Sequence, residues 1–371
     1  MRQHIVMTRL FEFGGSNTYL KTLLKYFGGE KTILILQNNA DMAYLGNIEM
    51  PETFCVSAQT GLHGYAHLSY PSLLSNLKEL FFIFISVARI FFMSLKHGFA
   101  DLTISVVEPE KYLYLLCVPF IKVNYVLHST PSLRHSIFTT YICKFALNKR
   151  KCITTVSNAN KELLLQRWKI PQKKEAFVHV VYNCVVEPSA IQTVKTNGKK
   201  YILTLGHVVA YKNPAIWLEV AQSIVSKYHD VDFIWVGSGP LLEEFRTAAA
   251  AVSGRIKFHG ADSHPESYLA SAMIYYQPSI HETHGIAVVE AMYHHLPCVV
   301  SATGGLTESI TDQYNGLLVD PFNAKEHVKA LISIIDQPGV CKKFGENGYK
   351  RYKNLFSFKI FKANMDAIYL N

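Results

Sequence analysis

The chain has 371 residues, 49% of them hydrophobic and 18% charged, which is enough to bury two cores of ordinary domain size and excludes a disordered chain. Its net charge of +9 lies in the first half: through residue 190 there are 20 Lys and Arg against 12 Asp and Glu, beyond it 17 against 16. That asymmetry points to an anionic partner of the first half, and because basic runs interleaved with aromatics are not evident, lipid head groups are preferred to nucleic acid.

The opening run Met1 to Met7 is too short in apolar length for a signal peptide, which argues against secretion. The seven cysteines (55, 117, 143, 152, 184, 298 and 341) form no CxxC pair and no zinc spacing, as expected of thiols in a reducing cytosol. His4 to Thr8 predicts a short strand, Phe13 to Asn17 a turn and Thr18 to Tyr26 a helix. Thr32 to Leu36 and Leu102 to Val107 are further strands; Lys122 to Leu127 is another, ending at His128. Cys152 to Val156 follows, with Ser157 as the cap of a helix. Strands alternating with helices predict a parallel sheet whose binding sites gather at the carboxyl ends of the strands, where Gly15, His128 and Ser157 fall.

Leu80 to Leu95 is the most apolar stretch, 16 residues with Arg89 near its centre, short of the roughly 20 needed to span a bilayer. Its spacing predicts a helix, flanked by Lys78, Lys96 and His97. Packing on a sheet is the first expectation. Docking on an anionic bilayer is the alternative, and each can hold on a different face.

Val178 to Tyr182 is strand-like, and Asn183 to Lys200 then loses periodicity and reads as a linker. A second alternating series begins at Lys200 to Gly206, with strands at Asp232 to Gly237 and Ile256 to Gly260; no internal repeat of fixed period is visible. The expected architecture is α/β, two doubly wound Rossmann-like domains facing across a cleft: residues 1–190, residues 199–345, and a helical tail over 346–371.

Ala272 to Ser279 reads as a buried strand ending in a loop, and it leads into His281-Glu282-Thr283-His284-Gly285-Ile286-Ala287-Val288-Val289-Glu290-Ala291-Met292. Glu282, in a polar loop, can accept hydrogen bonds from sugar hydroxyls. Glu290, about two turns into the following helix, can reach a ribose. Gly285 and Ile286 offer backbone N–H groups at a helix N-terminus, where phosphate is favoured. One segment thus supplies acceptors for hydroxyls and donors for a diphosphate. A solvated glutamate opening an amphipathic helix would be the plainer account of two such residues in isolation, but Leu296 to Ser301 reads as the next strand, and Gly304-Gly305 opens another turn before Glu308.

This order of segments, continuing through Asn315-Gly316-Leu317-Leu318-Val319-Asp320-Pro321, resembles the retaining glycosyltransferases of the GT-B fold, the family that includes glycogen synthases, sucrose synthases and bacterial mannosyltransferases. The resemblance implies a Glu-x7-Glu element that grips a nucleoside-diphosphate sugar, with Glu282 orienting the sugar, Glu290 holding the ribose, and His284, Gly285 and Ile286 on the donor. It implies that Lys212, in Gly206-His207-Val208-Val209-Ala210-Tyr211-Lys212-Asn213-Pro214, neutralises the departing diphosphate. His207 stands where the family carries arginine, which replaces a permanent bidentate cation by a part-time one. The resemblance also implies that His128 supports the donor sugar or the transition-state charge, that Gly14-Gly15 is a turn by which acceptor and diphosphate approach the backbone, and that the last helix crosses back to the first domain. The catalytic set is therefore His128, Lys212 and Glu282; the donor set is Gly15, His207, Lys212, His284, Gly285, Ile286 and Glu290. No metal and no cofactor other than the nucleotide sugar as co-substrate are expected.

Two motifs are set aside. Asp230-Val231-Asp232 has the form of a metal-binding DxD but precedes a strand, at the amino end of the sheet; Gly237-Ser238-Gly239-Pro240 lacks the third glycine of a dinucleotide fingerprint. The expected function is transfer of a sugar, with retention, to a hydroxyl of a glycan or lipid-linked acceptor in cell-surface polysaccharide synthesis, in the cytoplasm and peripheral on the inner membrane face. An epimerase or phosphorylase of the same fold, or a non-catalytic sugar-nucleotide-binding module, are the alternatives.

Overall fold

A computed structural model describes residues 3–10, 14–36, 41, 43, 44, 52–57, 62, 73–106, 108–133, 137–187 and 200–370. The chain divides into two units, Met1–Tyr182 with Lys362–Asn371, and Asn183–Phe361.

The first unit runs β1 (His4–Thr8), α1 (Gly15–Phe27), β2 (Thr32–Leu36), β3 (Phe54–Ser57), α2 (Leu73–Lys96), β4 (Asp101–Val106), a 3-10 turn Leu113–Cys117, β5 (Val123–Leu127), α3 (Ile137–Ala146), β6 (Lys151–Thr155), α4 (Asn158–Arg167), a second 3-10 turn Gln172–Phe177 and β7 (Val178–Val180). The seven strands form a parallel sheet in the order β3-β2-β1-β4-β5-β6-β7. Every residue of β1, β2, β5 and β6 is buried, because crossover helices cover a parallel sheet on both faces. That double burial is why these strands read as continuous apolar runs in the sequence. β3 was not anticipated: four residues are too few to show a period, and its place is set by main-chain pairing to β2. Ser157 caps α4 by accepting from the Asn160 amide at 3.1 Å.

The second unit continues with β8 (Lys200–Leu205), a 3-10 turn Ala210–Lys212, α5 (Pro214–Lys227), β9 (Val231–Val236), α6 (Leu242–Val252), β10 (Ile256–Gly260), α7 (Glu266–Leu269), β11 (Ile274–Gln277), α8 (Ile286–Tyr293), β12 (Cys298–Ser301), α9 (Leu306–Ser309), β13 (Gly316–Val319), α10 (Ala324–Ile335), α11 (Pro338–Arg351), a π-helical turn Tyr352–Phe356 and α12 (Phe358–Leu370). Its six parallel strands lie in the order β10-β9-β8-β11-β12-β13. One face is filled by an aromatic cluster in which Trp217 meets Phe233, Trp235 and Phe258 edge-on at 4.8–5.5 Å between ring centroids. The indole N–H of Trp217 donates to Thr204 Oγ1 at 2.7 Å, so this ring is buried without an orphaned polar group.

The unit boundaries differ from those expected. Asn183–Glu187 belongs with the second unit, where Val185 forms a parallel bridge to Ser357; residues 188–199, the heart of the expected linker, lie outside the described residues. The returning tail starts at Lys362 and not at residue 346, because α11 packs on α8. A Cβ at Gly345 would lie 2.0 Å from the His295 carbonyl oxygen, so only glycine lets the two chains approach so closely. The end of α12 is part of the first unit's core: Tyr369 is buried, its ring meets His4 and Phe27, its hydroxyl bonds Thr103, and Lys122 Nζ donates to its carbonyl at 2.8 Å.

Candidate active site

In an open parallel sheet, ligands gather where the strand order reverses, since the loops leaving the two strands there diverge. In the second unit the chain goes outward from β8 through β9 to β10, then returns to the other side of β8 as β11. The reversal lies between β8 and β11, and Lys212 follows the first while Glu282 follows the second.

The two side chains meet. Lys212 Nζ forms an ion pair with Glu282 Oε2, and the side chains are only 14% and 12% exposed. Burial alone would lower the Lys212 ammonium; the adjoining carboxylate outweighs it and holds the lysine above its ordinary range, fully charged at neutral pH. Its Nζ also sits 5.8 Å from the centroid of the Tyr211 ring. Glu282 Oε2 takes a second hydrogen bond, at 2.9 Å, from the amide of buried Gln277, the last residue of β11. Gln277 is fixed in turn by the Tyr275 hydroxyl, which donates to its Oε1 at 2.8 Å, and by Ser279 Oγ at 3.2 Å. Gln277 was not singled out in the sequence. A glutamine ending an otherwise apolar strand was the available signal, since a buried amide must find partners.

The loop bearing Glu282 is seated on backbone. The Gly305 amide donates to the Glu282 carbonyl at 3.0 Å, the Ile280 amide to the Tyr211 carbonyl at 2.8 Å, and Thr303 Oγ1 to the Ile280 carbonyl at 3.1 Å. Gly304 has a φ of 48°, and a Cβ there would lie 2.1 Å from the Glu282 carbonyl oxygen. The turn Gly304-Gly305 is therefore the floor on which the carboxylate loop rests.

Gly285, at φ 86°, precedes the first helical residue, Ile286, and no side chain caps the helix. The Val288 and Val289 amides donate to the Gly285 carbonyl at 3.0 and 3.4 Å, which leaves the N–H groups of Gly285, Ile286 and Ala287 at the open end of α8, and the helix dipole adds a partial positive charge beside Lys212 and Glu282. Because α8 starts at Ile286, Glu290 sits a little over one turn into it, nearer its start than the two turns expected. His207 lies in the loop after β8 and keeps partial exposure. The His284 side chain turns inward: 1% exposed, its ring meets Phe356, and its Nδ1 is 3.4 Å from the Asn183 amide nitrogen. Burial lowers it to about 4, so it is neutral at physiological pH. Its position suits anchoring the loop's interior.

In the first unit Gly14 adopts φ 137° ahead of α1, whose first residue is Gly15. The Tyr19 ring of α1 packs edge-on against His128, 4.2 Å between centroids, just past the end of β5. α1, which Gly15 opens, and His128 thus meet through Tyr19 at the carboxyl edge of that sheet. Of the motifs set aside, Asp230 is an exposed residue 3.8 Å from Lys200 Nζ, and Asp232 stands at the amino-terminal end of β9, away from the reversal.

Residues 187–351 match the family model of glycosyl transferases group 1, nearly the whole second unit. The chain is 30% identical over 179 residues to 2-deoxystreptamine N-acetyl-D-glucosaminyltransferase of Niallia circulans, a span of 44% of this chain and 46% of that protein. It spans about half the length of the curated relatives it matches. Among solved structures, a glycosyltransferase from Rickettsia africae superposes with a TM-score of 0.77 at 17% identity, covering 100% of this chain and 99% of that one. HepE of Anabaena, solved in complex with UDP-glucose, superposes with a TM-score of 0.74 at 17% identity over 100% of both chains. The fold is that of the GT-B glycosyltransferases.

Proposed function

We propose that the protein is a glycosyltransferase that takes a sugar from a nucleoside diphosphate and passes it, with retention of configuration, to a hydroxyl of a glycan or lipid-linked acceptor. The observation that carries this reading is the meeting of Lys212, Glu282 and the start of α8 at the strand reversal of the second unit. A lysine held charged and a helix N-terminus without a side-chain cap suit a diphosphate; a carboxylate held by a lysine and an amide suits sugar hydroxyls. UDP-glucose in the structurally similar HepE and the sugar-transferring relative from Niallia circulans support the same class of donor.

The bond between the anomeric carbon and the diphosphate oxygen breaks, and its electron pair goes to the leaving phosphate. The acceptor oxygen bonds the same carbon from the same face, and its proton goes to a phosphate oxygen. Lys212, His207 when protonated and the amides of Gly285 and Ile286 stabilise the growing negative charge, taking the place of a divalent metal. Within the second unit Glu282 orients the sugar and Glu290 holds the ribose. We place the work in the cytoplasm, with the first unit's positive charge at an anionic membrane face.

Thermal-shift screening of nucleotide sugars identifies the donor, because a ligand that binds only the folded state stabilises it by mass action. Turnover of that donor with hydroxyl acceptors then tests the class. Binding without transfer to any acceptor supports a binding module. Interconversion of the donor sugar without transfer supports an epimerase, and sugar release dependent on inorganic phosphate a phosphorylase.

A further inference from the structure

The membrane partner just proposed leaves open which part of the first unit would meet it, and the outer surface of that unit is unusual. α2 buries Ser86, Ile90 and Ser94, with Ile90 in the first unit's core. Its opposite face carries Phe81, Phe84, Phe92 and Leu95, which are 60%, 70%, 64% and 43% exposed. At 3.6 residues per turn these four fall within an arc of about 80°, and Lys78, Arg89 and Lys96 flank that arc on one side. A helix face turned to water is ordinarily polar, so a stripe of large apolar side chains here calls for a covering partner.

The stripe does not stand alone. α2 and α3 both pack against the turn Leu113–Cys117. The Phe91 ring reaches Phe120, 71% exposed, at 6.1 Å, and the Phe120 carbonyl accepts from Arg150 Nη1 at 3.1 Å. On α3, Ile137, Tyr141 and Phe145 recur every fourth residue and are 65%, 48% and 70% exposed, with Lys144 beside them. Between α3 and the turn lies a mostly apolar groove of about 480 Å³, bordered by Leu116, Pro119, Tyr141 and Phe145.

Charge decides what covers this surface. From residue 73 to 151 the chain carries ten Lys and Arg and four acids; Lys151 is buried, Lys122 bonds the Tyr369 carbonyl and Lys111 pairs with Glu108, whereas Lys78, Arg89, Lys96, Lys144 and Arg150 are exposed beside the apolar groups. Three of the four acids are engaged within the unit: Glu108 pairs with Lys111, Glu110 bonds Ser132 and Trp168, and buried Asp101 accepts from the Lys122 amide. The fourth, Glu79, lies about 160° around α2 from Phe81, on the inner side. The outward faces are apolar and cationic, the composition of an interfacial element on anionic lipid, whereas a second copy of the chain would bring the same positive charge against itself. Among the described residues no helix is long and apolar enough to cross a membrane, so contact is with one leaflet.

We propose that the outward faces of α2 and α3, joined through Phe120, form a single docking surface for an anionic phospholipid bilayer. This inference rests on the membrane reading above and locates it. The test is flotation of the full chain with vesicles of phosphatidylglycerol and phosphatidylcholine, against phosphatidylcholine alone, for the wild type, Phe84→Ser/Phe92→Ser, Phe145→Ser and Lys96→Glu/Lys144→Glu. All changed positions are solvent-exposed, and circular dichroism verifies folding of each variant. The wild type floats with the anionic vesicles and is released by salt; the phenylalanine and lysine variants each lose tenfold or more of the bound fraction. Wild-type flotation unchanged in every variant overturns the surface and leaves the membrane reading standing. Absence of wild-type flotation, or equal flotation on neutral vesicles, overturns both. A concentration-dependent dimer that Phe84→Ser/Phe92→Ser dissociates, without vesicle binding, assigns the face to a second copy and also overturns the proposal.

Discussion

Two carboxylates of this molecule have the same pair of partners, a lysine ammonium and one neutral donor, in different settings. Glu282 has Lys212 and the Gln277 amide; Asp366 has Lys362 Nζ at 2.7 Å and the Tyr26 hydroxyl at 2.9 Å. Lys362 and Asp366 are four residues apart on one helix and 54% and 32% exposed, whereas Lys212 and Glu282 come from loops after two strands and are nearly buried. The first arrangement is what any helix surface supplies at small energy. The second needs a sheet reversal, a glycine floor and a fixed glutamine, and it keeps a charge pair out of water, where its field acts strongly on a ligand.

The sharpest way to break that contrast is to remove the lysines. Lys212→Ala is expected to lower kcat/KM by about 10²–10³-fold, about 3–4 kcal/mol of transition-state stabilisation, with Glu282 left buried beside Gln277. Steady-state rates with the donor found by thermal shift measure it. Lys362→Ala is expected to leave the rate unchanged. Near-normal turnover in Lys212→Ala would make the buried pair as structural as the exposed one.

Acid should separate the two units next. Burial lowers both His284 and His327 from the usual 6.5 to about 4; a hydrogen bond of His327 Nε2 to the Asp320 carbonyl only partly opposes this. Above pH 6.5 neither folded nor unfolded chain protonates them. Between 6.5 and about 4 only the unfolded chain does, so stability falls as pH falls, by on the order of 3 kcal/mol for each histidine at pH 4. In the first unit His97 and His179 are lowered as well, but both keep partial exposure. Hydrogen exchange at pH 7 and pH 4.5 should show the amides of β8, β11 and β12 losing protection before those of β1, β4 and β5. Simultaneous loss would show that the two histidines do not set the acid limit.

The glycine floor gives a smaller effect. Gly304→Ala places a methyl against the Glu282 carbonyl at a φ that disfavours side chains, and about 2 kcal/mol of stability is expected to go with it. Donor binding should weaken with it, read as a reduced thermal shift at a fixed donor concentration. Loss of stability with undiminished donor affinity would separate the floor from the site.

Much of this was legible in the chain and some was not, for physical reasons. Strands buried on both faces announce themselves as apolar runs, and the segment from Glu282 to Glu290 could be singled out because its residues are close in sequence. The engagement of Lys212 with Glu282 joins residues 70 apart, and no periodicity encodes which loops a sheet reversal brings together. Gln277 escaped notice for the same reason: its importance lies in what it touches. The outward stripe of α2 was visible as hydrophobicity, but only the burial of Ile90 and Ser94 showed which half of it faces water.

The exposed pair sets the lower end of the scale. Burial by itself would raise the Asp366 carboxyl, but hydrogen bonds from Lys362 and Tyr26 and the lysine's charge hold it below its usual 3.8. Stability from a lowered carboxyl is present above the unfolded value and is lost as pH falls through the folded one. Tyr26→Phe, which removes one of those bonds and leaves the ring packed on Tyr369, is therefore expected to cost about 1 kcal/mol at pH 7 and progressively less below pH 3.8. Urea unfolding of the wild type and Tyr26→Phe at pH 7 and pH 3 measures the gap. A gap that stays constant would assign the loss to ring packing, since a bond to the carboxylate weakens once the carboxyl is protonated and packing does not. A gap that closes shows that this half-exposed carboxylate on a helix contributes stability through its charge.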